Sequence, residues 1–157
     1  MSTNPQTASP AIAGRSAIAR AALYLGALAV LATGVVHIQQ YYGADYSAVP
    51  TIGTLFFLNF VSAVVLAAGL IAPLGRVAGR YADSIRALFA VGGIGFAVLS
   101  LAALFVSESS SLFGFTESGY RTAIVLAIVA EAAAVVFLVI FLAAAGTGLP
   151  RRTQHTA

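Results

Sequence analysis

The stretch YRTAIVLAIVAEAAAVVFLVIFLAAA, residues 120–145, decides the fold class. Beyond Arg121 it holds a single ionisable side chain, Glu131. A helix needs about 20 apolar residues to cross a hydrocarbon core roughly 30 Å thick, and this run is long enough. Three further runs of the same kind precede it, at about 18–38, 51–72 and 87–106. None alternates as a barrel strand would. A helix satisfies its own backbone inside lipid, so all four are expected to be helices. The expected fold class is an all-α membrane protein, a four-transmembrane-helix bundle.

Composition agrees. The chain has 157 residues, 60% hydrophobic and 8% charged. Soluble domains carry about 25% charged residues. Too few polar side chains are present to cover a water-facing surface. Cysteine is absent, which excludes disulfides, iron–sulfur ligation and thiol chemistry by the chain itself. Tryptophan is also absent, so tyrosine supplies any aromatic belt.

The loops divide the chain. Residues 1–14, with Pro5 and Pro10, are expected to be a disordered tail, 15–149 the transmembrane domain and 150–157 a C-terminal tail. The first run is too long for a signal-peptide core of roughly 7–15 residues, so it is expected to be a retained span. Residues 39–50 read as a loop rich in tyrosine (Tyr41, Tyr42, Tyr46), and Pro73 with Gly75 stops the second run.

Arginine placement gives an expected orientation. Arg15, Arg20, Arg76, Arg80, Arg86, Arg151 and Arg152 flank the runs on one side, and Arg121 alone lies on the other. This is a positive-inside pattern. It places both termini in the cytoplasm and the tyrosine loop outside. There is no lysine, and the arginines sit at the ends of apolar runs rather than on a basic face, so no nucleic-acid partner is expected. Arginine without lysine, among much alanine, glycine and valine, fits a GC-rich genome. The expected location is a bacterial inner membrane.

Four of the polar residues inside the spans stand out. Glu131 near the middle of the fourth is the sharpest signal, because a charge at that depth costs on the order of 2.5–3.5 kcal/mol on insertion scales. It lies on a small-residue face with Ala127 and Ala134. It reads either as a protonated acid hydrogen-bonded across helices or as a proton or ligand site. Asn59 lies about two turns into the second span, and reads as inter-helix glue or as part of a site. His37 is the one intramembrane histidine, able to relay protons or ligate, or simply to bond a nearby loop. With Ser100, these residues all fall in the outer half of the bundle. They would form a polar pocket if helix rotation turns them together.

Gly92, Gly93 and Gly95 in the third span permit close helix packing. No phosphate loop, nucleophile elbow or zinc motif is present, a haem would lack its second axial histidine, and no metal or cofactor is expected.

The segments Gly34-Val35-Val36-His37, Tyr41-Tyr42 and Val49-Pro50-Thr51-Ile52-Gly53-Thr54-Leu55-Phe56-Phe57-Leu58-Asn59 resemble a pattern in small four-span membrane proteins of actinobacterial type. The resemblance covers the first two spans and their loop, and it implies no activity.

The expected function is a non-enzymatic accessory or a ligand- or lipid-binding bundle. Its partners would be the lipid bilayer and either further copies of itself or a larger membrane complex. The alternative is a small-solute or proton-coupled transporter using Glu131. An enzyme, haem or quinone site at His37 has the least support.

Overall fold

A computed structural model describes residues 10–111, 113–114 and 121–146. Arg151, Arg152 and the C-terminal tail lie outside these residues, as do residues 1–9. Arg15 lies in a described helix, but its side chain does not belong to the description.

The first helix, α1, spans Pro10–Gly43. It starts ahead of the apolar run near residue 18 and continues past residue 38. Hydropathy marks only the part apolar enough for lipid, whereas the alanine-rich start and the Gln39–Tyr42 turn are helix-competent without being apolar. Proline suits the first position of a helix, since its missing N–H has no partner there. Residues 10–14 and 39–43, expected as tail and loop, are therefore helical. A single 3₁₀ turn, Tyr46–Ala48, leads to α2, Ile52–Ile71. Pro73 then opens the one-turn α3, Leu74–Val77. The last two long helices are α4, Ala82–Ser109, and α5, Thr122–Ala145. Among the described residues four segments are long and apolar enough to cross a membrane: Ser16–Gly43, Ile52–Ile71, Gly79–Ser109 and Thr122–Ala145.

Side-chain register fixes the arrangement. Val30 of α1 faces Gly93 of α4, and His37 faces Ser100 about two turns further on. The offset is the same in both pairs, so α1 and α4 run in one direction. Gly34 lies against Ala63 and Phe60 of α2, and Gly26 against Leu138 of α5. The helices α2 and α5 run opposite to α1, since the pairing passes from Gly34–Ala63 to His37–Phe56 and from Gly26–Leu138 to Tyr46–Arg121. The loops around Tyr46 and Arg121 share one end of the bundle, where the two side chains meet.

Small residues bring these helices together. On α5 the buried residues are Ile124, Ala127, Glu131, Ala134, Leu138 and Phe141, alternating by three and four positions. That spacing keeps one stripe of a helix facing its neighbours. Leu138 is fully buried and seated between two glycines. A Cβ at Gly26 would lie 2.6 Å from its Cδ2, and one at Gly93 2.7 Å from its Cδ1. Of the three glycines marked for packing in α4, Gly93 makes this close contact, while a Cβ at Gly95 would meet open space. Ala90 and Ala97 extend the Gly93 face, both fully buried.

Arg86 closes the other end. Its Nε donates to the Leu70 carbonyl at 3.2 Å and its Nη2 to the Ala72 carbonyl at 2.9 Å. The last carbonyls of a helix lack intrahelical partners, and a cation there also meets the negative end of the dipole. Arg86 is therefore a cap on α2 as well as a flanking charge. The outward faces carry Leu28, Leu88, Leu99 and Val129, all well exposed.

Because Leu138 fills the space between two glycines, Leu138→Ala should cost about 2–5 kcal/mol of stability. Val129→Ala on the exposed face should change it by no more than about 0.5 kcal/mol. Reversible unfolding in mixed micelles checks both, and equal losses would refute the wedge.

Candidate functional site

Each long helix sends one polar side chain to the same level of the bundle. His37 lies six residues before the end of α1, Asn59 seven after the start of α2, and Ser100 and Glu131 nine from the nearer ends of α4 and α5. At 1.5 Å per residue, all four stand roughly 9–14 Å below the tyrosine-loop end. Helix rotation, which the sequence left open, brings them together: all four line one cavity of about 340 Å³. Glu131 is 1% exposed, so it faces the bundle and not its surroundings.

Ser100 is the hub. Asn59 Nδ2 donates to its Oγ at 3.3 Å, and His37 Nε2 lies 3.5 Å from that oxygen. The Ser100 hydroxyl also lies beside the Glu131 carboxyl. The His37 ring is oriented from its other side, where Nδ1 lies 2.9 Å from the Thr33 carbonyl. A carbonyl can only accept, so Nδ1 carries the proton. Nε2 of the neutral ring is then an acceptor facing Ser100. Ser100 has one hydrogen and two acceptors competing for it, His37 Nε2 and the Glu131 carboxyl.

Two further acceptors at the cavity go unmatched. Asn59 Oδ1 and Glu131 Oε2 are buried and have no hydrogen-bond partner. An unpartnered buried polar atom costs on the order of 1–3 kcal/mol. Most buried side-chain polar atoms in folded proteins have a partner, so two orphans at one cavity wall set this level of the bundle apart.

The walls are mostly apolar. Phe56 stands between His37 and Tyr46, with ring centroids 4.9 and 4.8 Å away. Arg121 then donates from Nη2 to the Tyr46 hydroxyl at 2.6 Å, its guanidinium carbon 5.9 Å from the ring centroid. A column of His37, Phe56, Tyr46 and Arg121 thus joins the polar cluster to the tyrosine-loop end. Gly53 permits this, because a Cβ there would lie 2.5 Å from the Tyr46 carbonyl oxygen. Asp45, in the left-handed region at φ 58°, turns the chain so that Tyr46 folds inward and is 6% exposed.

The three tyrosines singled out in the sequence separate. Tyr46 joins the cavity, whereas Tyr41 and Tyr42 stay on the last turn of α1, edge to face at 4.8 Å. Arg121, read from the sequence only as the charge on the minority side, proves to be a lining residue. Its partner Tyr46 is 75 positions away, a pairing no local pattern announces. Ser62 and Ser107 also line the cavity. Among the described residues no group of three or more His, Asp or Glu side chains could hold a metal ion.

No family model matches the chain, and neither a curated protein nor a solved structure matches it.

Nitrogen-15 spectra of the full chain in bilayers should show the neutral His37 ring protonated at Nδ1. Ser100→Ala should shift both the His37 Nε2 and the Asn59 side-chain amide signals. It should cost about 1 kcal/mol of stability, the usual size of an inter-helix hydrogen bond in a membrane protein. A ring protonated at Nε2 alone, or an Asn59 signal indifferent to Ser100, would contradict this network.

Proposed function

We propose that this chain is a small integral membrane protein whose bundle binds a compact, largely apolar molecule with a polar head. The observation that carries the reading is the cavity itself. Ligand sites are apolar hollows of roughly 300–1,000 Å³ with a few convergent polar groups, and this one, at about 340 Å³, has four such groups from four helices. Its Asn59 Oδ1 and Glu131 Oε2 lack partners. A purely structural use of Glu131 would consume both carboxyl oxygens in packing. Ionisable groups at this depth ordinarily serve a ligand or ion path.

Proton-coupled transport is the second reading. It rests on Ser100, whose oxygen bridges His37 and Glu131. A histidine gaining a proton at Nε2 would donate to Ser100, which would turn its own hydrogen toward Glu131. Three groups on three helices would then exchange a proton without water.

The arginine asymmetry supports both termini on the cytoplasmic side of a bacterial inner membrane. The chain has no cysteine, so single cysteines can be placed freely. A cysteine at Tyr42 should react with an impermeant thiol reagent added to intact cells, and one at Arg80 only after lysis. The reverse pattern would invert the orientation.

Ligand binding is checked by native mass spectrometry of the full-length protein from mild detergent. A stoichiometric small molecule should accompany it. Ala103→Phe, which places a ring at the cavity wall, should remove that molecule while the protein still folds. Wild type carrying nothing, or the same molecule retained by the variant, would count against the cavity as a binding site.

A further inference from the structure

The hydrogen-bond inventory at the cavity wall names the kind of head group that would fit. The His37 Nδ1–H is already spent on the Thr33 carbonyl. The Ser100 hydrogen is contested by His37 Nε2 and the Glu131 carboxyl. One Asn59 N–H is spent on Ser100. Against these donors stand Asn59 Oδ1 and Glu131 Oε2, both buried and unpartnered, and whichever acceptor the Ser100 hydrogen leaves. Both orphaned atoms are acceptors and call for donors, and among the described residues no arginine lies beside Glu131. Arg121 lies ten residues along α5, roughly 15 Å away by helix rise, and is engaged by Tyr46.

We infer that the cavity takes an organic amine, an apolar body with an N–H-bearing cationic head held by Glu131 Oε2 and Asn59 Oδ1. The inference rests on the binding reading above and specifies its ligand. A primary ammonium brings three donors and one positive charge. Those donors can satisfy both orphaned oxygens and the acceptor that Ser100 leaves, while the charge balances a carboxylate. A hydroxyl brings one donor and no charge. An anion would bring acceptors to two orphaned atoms that are themselves acceptors. A bare inorganic cation would fill the polar corner but leave the apolar volume between Phe56, Phe96 and Leu104 empty. The aromatic wall also favours the amine, because a cation near a ring face is attracted by the ring quadrupole.

The test uses the full-length protein in nanodiscs and three probes of equal body: 2-phenylethylamine, 2-phenylethanol and phenylacetate. Binding is read by titration calorimetry and by shift of the melting temperature. The amine should bind saturably and at least about tenfold tighter than the alcohol, the size expected for one charge-assisted hydrogen bond, and phenylacetate should not bind. Glu131→Gln should cut amine affinity by at least about tenfold and leave alcohol affinity unchanged. If Glu131→Gln does not fold, Asn59→Ala removes the second acceptor and must by itself weaken the amine but not the alcohol. Equal amine and alcohol affinities, both lost in Ala103→Phe, would overturn the amine class and leave the cavity reading standing. A melting temperature raised by sodium ions in a Glu131-dependent way, with the amine displaced, would overturn it in favour of an inorganic cation site. Absence of saturable amine binding would overturn it too, and the co-purified molecule would then decide the broader reading separately.

Discussion

The structure depends on the seating of Leu138 between Gly26 and Gly93. In lipid the hydrophobic effect does not drive helices together, since acyl chains are as apolar as leucine. Close fit must do it. Two glycines let α1 and α4 come within reach of one α5 side chain, and Ala90, Ala97 and Ala134 extend the fit, each fully buried. At this level the three helices touch with no room between them. Two turns along the same stripe of α5 the residue is Glu131, and there the bundle is hollow. The tight end holds the helices in a rotation that the open end then uses.

That coupling explains why the polar cluster is assembled at all. Four polar residues on four helices meet only if each helix is turned correctly. The constant offset between Val30–Gly93 and His37–Ser100 means that one rigid pair of helices carries both the packing contact and the polar contact. On the α1–α2 side, Gly34 lies one turn from His37 and presses on Ala63, one turn from Asn59. The glycine contacts therefore act as positioning devices for the site, although none of them touches it.

The spans were legible in the sequence because length and apolarity are local properties. So was the inward direction of Glu131, through Ala127 and Ala134 on its face. Helix ends were less legible: the lipid-compatible run understates α1, whose polar last turn holds Gln39 to Tyr42. Helix rotation was not legible at all, because it depends on contacts such as Gly26 with Leu138 that lie far apart in the chain. The inward turn of Tyr46 needs a left-handed Asp45 and a bare Gly53, neither of which signals its effect in advance. The cavity belongs to this class of feature. It is a property of where side chains are missing, and a sequence lists only those that are present.

The energetics of the polar cluster bear on the binding role proposed above. Insertion of a mid-span glutamate costs on the order of 2.5–3.5 kcal/mol, and the orphaned Asn59 oxygen about 1–3 more. The inter-helix hydrogen bonds around Ser100 return about 1 kcal/mol each at most. On those magnitudes the cluster destabilises the bundle it sits in, and the Leu138 packing, worth about 2–5 kcal/mol, offsets it from two turns away. Hydrophobic residues at the four positions would make a more stable helix bundle. A polar centre that stability does not require, facing an apolar hollow with two oxygens unpaired, is the observation on which the proposed binding role rests.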